Sequence, residues 1–289
     1  AEGVHQEKGE ADGPKLLRVE HTAVHNRLFR HRKRQPAHIK KTVPEDKPGE
    51  HRQALPLIEV PDLQLVREDR PVRARPEKIQ TVHLGVDPRY GLAISDNDLD
   101  SFRKRYPLPD DFVLFVGDRR PHKNLPCLIE GFARFLQETR LPFHLVIAGA
   151  AYPDYSGPEQ SVEKLGLAGR VHLLDYFPDA DLPALYQSAR VFATLSLYEG
   201  FGLPVLEAMS AGLPVIASQA TCLPEIVGDA GLLVPPDSPE ALSAALQKLL
   251  TGGDVREELI VRGRARVAQF RGERTGRETR AIYHPAAGR

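Results

Sequence analysis

The sequence predicts an α/β fold built on a doubly wound parallel sheet. From Lys78 onward, short β-rich runs that end in glycine or turn residues alternate with stretches of helical period. Runs such as FVLFV and FHLVIA are continuously apolar, which is typical of strands buried on both faces. Repeated alternation of strand and helix favours right-handed crossovers and a parallel sheet. The predicted strands are Phe112–Val116, Phe143–Ala148, Val171–Leu174, Val191–Leu195, Pro214–Ala217 and Leu232–Val234.

Apolar residues three and four positions apart predict the helices between these strands. The clearest series are Leu125, Leu128, Ile129, Phe132, Phe135 and Leu136, then Leu182, Leu185, Tyr186 and Ala189, and finally Leu242, Ala245, Leu246 and Leu249. In doubly wound folds, ligands bind beyond the carboxyl ends of the strands, where loops lead into helix N-termini. We therefore expect the functional residues in the loops after Val116, Ala148, Leu174 and Leu195.

The chain changes character near Pro76, which divides it into unequal parts. Residues 1–78 are rich in Arg, His, Pro and Glu and show no sustained period of two or 3.6 residues. Such a segment buries too little apolar surface to offset its ordering entropy. We predict a largely irregular N-terminal segment over residues 1–78, an α/β domain over 79–270 and a C-terminal helix or tail over 271–289.

Charge and composition exclude several classes of function. The formal net charge is zero, and the one dense basic run, Arg27–Arg34, is interpreted as solvated or disordered, so we expect no nucleic-acid partner. The two cysteines, Cys127 and Cys222, lack metal-site spacing, which indicates a reduced compartment. No apolar run reaches the ~18 residues of a membrane span, and no signal peptide is evident. We therefore expect a soluble, cytoplasmic protein.

The loop after the first predicted strand, Gly117–Asn124, combines a glycine turn with cationic side chains. It reads Gly-Asp-Arg-Arg-Pro-His-Lys-Asn and opens directly into a helix. Unpaired N–H groups at a helix N-terminus, together with Arg and Lys, form an anion site that suits a diphosphate. An ordinary βα loop with basic surface residues explains this loop equally well.

The loop Glu199–Pro204 is more specific. Gly200 and Gly202 permit a close approach of backbone to a ligand, and Pro204 suits the first helical position. We place Glu207 in the first turn of the following helix, where a carboxylate also complements the helix dipole. Glu199 precedes that helix, so the two carboxylates are not a hydrolase acid–base pair by any local argument.

Glu199 to Glu207 reproduces an E-x7-E motif, and its surroundings, LYEGFGLPVLEAMSAGLPVIAS, closely resemble family 4 retaining glycosyltransferases of the GT-B fold. The segments VGDRRPHKN, VHLLDYFPDADLPALY and LPEIVGDAGLLVPPDSPEAL also resemble that family. The resemblance runs from about Lys78 to Phe270 and implies one Rossmann-like half of the GT-B fold, the C-terminal donor-binding domain.

The resemblance implies a role for each matched position. Lys123, with Arg119 or Arg120, would neutralise the diphosphate of a nucleotide-sugar donor, so that no metal is needed. Glu199 would hydrogen-bond the transferred sugar, and Glu207 would bind the nucleotide ribose. The remaining donor-binding candidates are Gly117, Asn124, Leu174, Tyr176, Gly200, Phe201, Gly202 and Leu203.

The chain departs from the family pattern at four places. His122 stands where Arg is usual before Lys-Asn, and Asp175 stands where Gly is usual, so that a carboxylate lies near the expected nucleobase. Arg271-Gly272 replaces Ser-Trp, from which we expect a weakened C-terminal helix. Residues 1–78 contain neither a Gly-Gly motif nor a run of βα units, so an acceptor half is not expected there.

Three functional readings remain open at this point. The family reading is transfer of a hexose, with retained configuration, to a glycan or lipid-linked acceptor, with peripheral membrane contact. The second is a truncated or frame-shifted donor-binding module without turnover, which better describes a chain lacking an acceptor half. The third is an unrelated α/β protein that binds another phosphate ligand. The run from Leu223 to Gly231 resembles mannosyltransferases that use GDP-mannose.

Overall fold

Six parallel strands form one sheet in the computed structural model, which describes residues 80–286. The strands are β1 (Phe112–Val116), β2 (His144–Ala148), β3 (Val171–Leu174), β4 (Val191–Thr194), β5 (Val215–Ser218) and β6 (Leu232–Val234). Their order is β3-β2-β1-β4-β5-β6, so the chain winds outward in both directions from β1 and β4. The predicted fold class is confirmed. The predictions for residues 1–78 lie outside the described residues, and the boundary at residue 78 stays a prediction.

Three predicted strands differ from the observed ones by a single residue at their ends. Strand β2 begins at His144 because that residue pairs with Phe112, the first residue of β1. Strand β4 ends at Thr194, and the next carbonyl, that of Leu195, accepts a hydrogen bond from a side chain instead. Strand β5 extends to Ser218 because its pairing with β6 continues that far.

Nine α-helices connect and cover the strands within the described residues. They are α1 (Asp96–Arg105), α2 (Leu125–Thr139), α3 (Gly157–Lys164), α4 (Leu182–Ser188), α5 (Leu203–Ser210), α6 (Leu223–Val227), α7 (Pro239–Thr251), α8 (Gly253–Val267) and α9 (Gly272–Ala286).

The sheet buries both of its faces under these helices. Within β1, Phe112 and Leu114 pack into the core that α4 and α5 cover, whereas Val113 and Phe115 pack into the core beneath α2 and α7. Alternate side chains of a strand point to opposite faces, so a two-sided core requires an unbroken apolar strand. The helices therefore hold the strand ends rigidly, and the loops at the carboxyl edge begin from fixed positions.

The C-terminal helix α9 forms over Gly272–Ala286, contrary to the weakening expected from Arg271-Gly272. Gly272 is the first residue of the helix, where glycine avoids the cost that it carries in a helix interior. The segment before β1 packs against this point, since Val86 N donates to Phe270 O (3.0 Å) and Thr275 Oγ1 donates to His83 O (2.7 Å).

Two histidines on neighbouring strands form a contact at the sheet edge remote from the strand carboxyl ends. His144 Nδ1 and His172 Nε2 lie 3.0 Å apart. Burial lowers the pKa of both imidazoles, and the nearby Arg170 lowers the pKa of His144 further. The unfolded chain, with an ordinary histidine pKa near ~6.5, therefore binds protons that the folded chain does not.

We predict that the free energy of unfolding decreases as the pH falls from about 7.5 to about 5.8. The histidine pKa values are lower in the folded chain than in the unfolded chain. As the pH approaches the pKa of the unfolded histidines, protons bind the unfolded chain first and so favour unfolding. The double variant His144→Gln/His172→Gln should show a smaller decrease, as measured by urea unfolding across this range. A wild-type stability that rises toward pH 5.8, or an identical slope in the variant, would contradict the assignment.

Candidate active site

Lys123 and Glu199 form an ion pair at the carboxyl edge of the sheet. Lys123 Nζ lies 2.8 Å from Glu199 Oε1, and each side chain is 15% exposed. Ser196 Oγ donates to the same carboxylate oxygen, also at 2.8 Å. Lys123 ends a short 3-10 turn after β1, and Glu199 follows β4, the strand next to β1 in the sheet. The fold thus brings together the two residues that the sequence singled out from separate loops.

Asn124 fixes the loop that carries Lys123. It adopts a left-handed conformation (φ 54°) just before α2, which turns the chain sharply into the helix. Its Nδ2 donates to Leu195 O (3.1 Å) and Pro236 O (2.6 Å), and Leu197 N donates to His122 O (2.8 Å). The side-chain amide of Asn124 is thus engaged with backbone carbonyls, and its expected contact with a donor stays a prediction.

Two residues of the loop after β5 hydrogen-bond the backbone where the glycine loop begins. Glu199 N donates to Thr221 Oγ1 (3.1 Å), and Cys222 Sγ donates to Glu199 O (3.2 Å). Gly202 has a φ of 94° and immediately precedes α5, a conformation that favours glycine. A Cβ at Gly200 would meet nothing within 4 Å. Open space thus adjoins Gly200, whereas a Cβ at Gly202 would lie 2.8 Å from Leu223 Cδ2; the donor-binding role of Gly200 to Leu203 stays a prediction.

Three polar residues of this site, Ser196, Thr221 and Cys222, were not among the sequence candidates. Thr221 and Cys222 lie in the loop after β5, a strand end that the rule of ligand binding at strand carboxyl ends also covers. The same rule, applied to that loop, would have found them. Ser196 lies three residues before Glu199, and no motif or spacing marks it.

Glu207 lies deeper than the sequence suggested. It is in the second turn of α5 instead of the first, so the helix dipole does not explain it. Tyr186 donates its hydroxyl proton to Glu207 Oε2 (2.8 Å). Burial raises the pKa of the Glu207 carboxyl, and hydrogen bonds from Tyr186 and Tyr90 partly offset that rise. The carboxylate is therefore positioned by tyrosines from α4 and from the segment before α1.

Arg119 and Arg120, the two candidates for a second cation, have different environments. The Arg119 side chain is 4% exposed and forms ion pairs with Asp175 and, at 3.6 Å, with Glu159. Arg120 is half exposed and pairs with Asp118 at 2.6 Å. Arg119 thus joins the loops after β1 and β3 to α3, whereas Arg120 is accessible from solvent.

A cavity of about 180 Å³ opens beside these loops, at the ends of β1, β2 and β3. Gly117 and Gly149 form part of its wall, and a Cβ at Gly149 would overlap the carbonyl oxygen of Gly117. Tyr176 lines the rim with 81% of its surface exposed, and Leu174, also predicted to flank a nucleobase, is half-buried at the end of β3.

His122, which stands where the resembled family has Arg, lies beside this cluster. Burial lowers the pKa of its imidazole, and the charge of Lys123 lowers it further. At neutral pH the ring is therefore uncharged, and the positive charge of this loop is carried by Lys123 and the two arginines, of which Arg120 is the most exposed.

Two searches of the described residues bear on other classes of site. Over residues 80–286, no three His, Cys, Asp or Glu side chains cluster closely enough to hold a metal ion. None of the helices in the same range has both the length and the apolar character needed to cross a membrane.

Comparison with known proteins identifies the family. The family described as Glycosyl transferases group 1 matches residues 96–266, more than half of the chain, and this range contains both loops of the site. The chain belongs to this family. The resemblance that the motifs of the two loops indicated is thereby confirmed at the level of the family.

Individual relatives agree with this assignment. The O-antigen chain mannosyltransferase B of Escherichia coli is 41% identical over 177 residues, which cover 60% of this chain and 45% of that protein. The C-terminal domain of a group 1 glycosyl transferase, LpcC, from Francisella tularensis has a TM-score of 0.55 at 26% identity, covering 64% of this chain and 97% of that one. Sucrose-phosphate synthase from Thermosynechococcus elongatus has a TM-score of 0.60 at 28% identity, and the match covers 71% of this chain and 52% of that one.

The chain spans about half the length of the first curated relative that it matches. The solved C-terminal domain, in contrast, is matched almost in full. The six-stranded unit therefore corresponds to one domain of this family, and it contains the Lys123–Glu199 pair.

We predict that Lys123 and Glu199 are energetically coupled in the folded protein. Lys123→Met leaves a largely buried carboxylate without its cation and should lower the free energy of unfolding by about 2–4 kcal/mol. The double variant Lys123→Met/Glu199→Gln should lose less than the sum of the single variants, with a coupling of about 1–3 kcal/mol.

The exposed pair Arg134–Glu240, at 2.7 Å, serves as the control for this cycle. Its coupling in the matching variants Arg134→Met and Glu240→Gln should stay below about 1 kcal/mol. Additive effects at Lys123 and Glu199 in urea unfolding would show that the pair does not join the two loops.

Proposed function

We propose that the chain binds a nucleotide-diphosphate hexose, with mannose as the hexose, and donates the sugar to a glycan or lipid-linked acceptor with retained configuration. The observation that carries this proposal is the Lys123–Glu199 pair beside the open glycine loop, in a chain of this family. Mannose is supported by relatives, since O-antigen chain mannosyltransferase B is 41% identical and serotype-specific mannosyltransferase WbdA is 31% identical.

Charge at the donor diphosphate comes from the protein in this proposal, without a metal ion. The ammonium of Lys123 has three N–H donors, and Glu199 Oε1 accepts one of them. The others are able to bind diphosphate oxygens. Because negative charge develops on the departing diphosphate, cations fixed in advance lower the barrier to transfer.

In this proposal Glu199 binds the transferred sugar. Its carboxylate is held by Lys123 and Ser196, and a carboxylate so held has acceptor capacity left for adjacent sugar hydroxyls. Glu207 is assigned to the ribose by the resemblance to the family, and the hydrogen bond from Tyr186 to its Oε2 fixes the direction of the carboxyl group. The two carboxylates thus have separate ligands along one nucleotide sugar.

The acceptor is a proposal that rests on the family alone. Transfer requires an acceptor hydroxyl held about 3–3.5 Å from the reacting sugar carbon, which is usually achieved by enclosing both substrates. The loops after β1, β4 and β5 supply one face of such an enclosure. We propose a glycan or lipid-linked acceptor on the other face, with peripheral membrane contact for the lipid-linked case.

Calorimetry with nucleoside diphosphates tests the donor site. We expect GDP or UDP to bind the 289-residue chain with the same affinity in EDTA as in added Mg²⁺. Lys123→Ala should lower this affinity about tenfold or more, because a charge-assisted contact is lost.

Lys248→Ala is the matched control, since Lys248 is exposed on α7 and should bind no donor. Circular dichroism confirms that both variants are folded. Unchanged nucleotide affinity in folded Lys123→Ala, or binding that requires Mg²⁺, would contradict the proposed role of Lys123.

A further inference from the structure

Asp175 combines high exposure with a fixed position. It follows β3 directly, and its side chain is 72% exposed at the rim of the cavity beside β1, β2 and β3. Arg119 binds it through Oδ1. Because Arg119 is itself 4% exposed and also pairs with Glu159, it is a buried anchor that orients the Asp175 carboxylate.

The cavity beside this carboxylate suits a flat ring. Gly117 and Gly149 line it, and the loops that carry them pack so closely that a Cβ at Gly149 would overlap the carbonyl oxygen of Gly117. Tyr176 adds an exposed aromatic face at the rim. Aromatic side chains stack on nucleobases, and the polar groups around such a pocket read the Watson–Crick edge of the base.

An anchored carboxylate only accepts hydrogen bonds, so it favours a base that presents N–H donors to it. Guanine presents two adjacent donors on one edge, N1–H and the N2 amino group, which match the two oxygens of a carboxylate. Uracil has one N–H between two carbonyl oxygens, and adenine has an acceptor nitrogen beside its amino group. Either of these would direct a lone pair at the carboxylate, which is repulsive.

We propose that Asp175, held by Arg119, selects guanine as the base of the donor nucleotide. This inference rests on the proposed function, since it assigns the base of the same nucleotide-sugar site. Asp118 also lines the cavity, but it pairs with the half-exposed Arg120 and lacks a buried anchor. Asp175 is therefore the better oriented of the two carboxylates.

Calorimetry on the 289-residue chain with GDP, IDP, ADP and UDP tests the proposal. IDP keeps N1–H and lacks the N2 amino group, so it should bind less tightly than GDP and more tightly than ADP or UDP. We expect GDP to bind at least about tenfold more tightly than UDP, because each hydrogen bond to a charged acceptor adds to the binding free energy.

Asp175→Asn and Asp175→Gly should lower the affinity for GDP about tenfold or more and leave that for UDP unchanged or higher. Both variants should fold, because the position is exposed and Glu159 still neutralises Arg119. Asp229→Asn, at an exposed site remote from the cavity, should leave all four affinities unchanged.

Three results would overturn the proposal. Equal wild-type binding of GDP and UDP would remove the base preference while leaving the donor site intact. Loss of the preference in Asp118→Asn but not in Asp175→Asn would assign the selection to Asp118. Failure of every nucleotide to bind would refute the proposed function itself and this inference with it.

Discussion

The ion pair between Lys123 and Glu199 joins two loops that come from neighbouring strands but lie 76 residues apart in the chain. Each partner depends on backbone contacts made by its own loop. The left-handed turn at Asn124 presents Lys123, and Thr221 and Cys222 hold the backbone of Glu199. Since both side chains are largely withdrawn from water, each charge is stabilised by the other. The two loops are thus joined by contacts within the fold itself.

The three cations of the loop after β1 differ in how far they are buried. Arg119 is buried between Asp175 and Glu159, so it organises the cavity wall instead of facing a diphosphate. Arg120 is 52% exposed and Lys123 15%, each paired with one carboxylate, and the uncharged His122 adds no charge at neutral pH. Charge stabilisation at a departing diphosphate therefore falls mainly on Lys123 in our account, with Arg120 at the rim.

The sequence predicted the sheet almost residue by residue, because buried parallel strands are continuously apolar and their helices keep a clear period. It also predicted which loops carry charge. It could not predict side-chain pairing across the sheet, since Arg119 and Asp175 belong to different strand ends and no local pattern links them. The position of Glu207 was misjudged for two reasons: its tyrosine partner comes from α4, and the helix begins at Leu203, one residue before the predicted start at Pro204. The sequence also could not show whether Gly272 begins the C-terminal helix or interrupts it, and the cost of a glycine to helix stability depends on that position.

The central claim is that Glu199 and Glu207 bind different parts of one nucleotide sugar, and calorimetry with a paired set of ligands tests it most directly. Wild type, Glu199→Ala and Glu207→Ala would each be titrated with GDP-mannose and with GDP. Our account predicts that Glu199→Ala weakens binding of GDP-mannose while sparing GDP, because the sugar contact is lost and Lys123 remains. It predicts that Glu207→Ala weakens both, because both ligands contain the ribose. The same pattern of losses in the two variants would contradict the account.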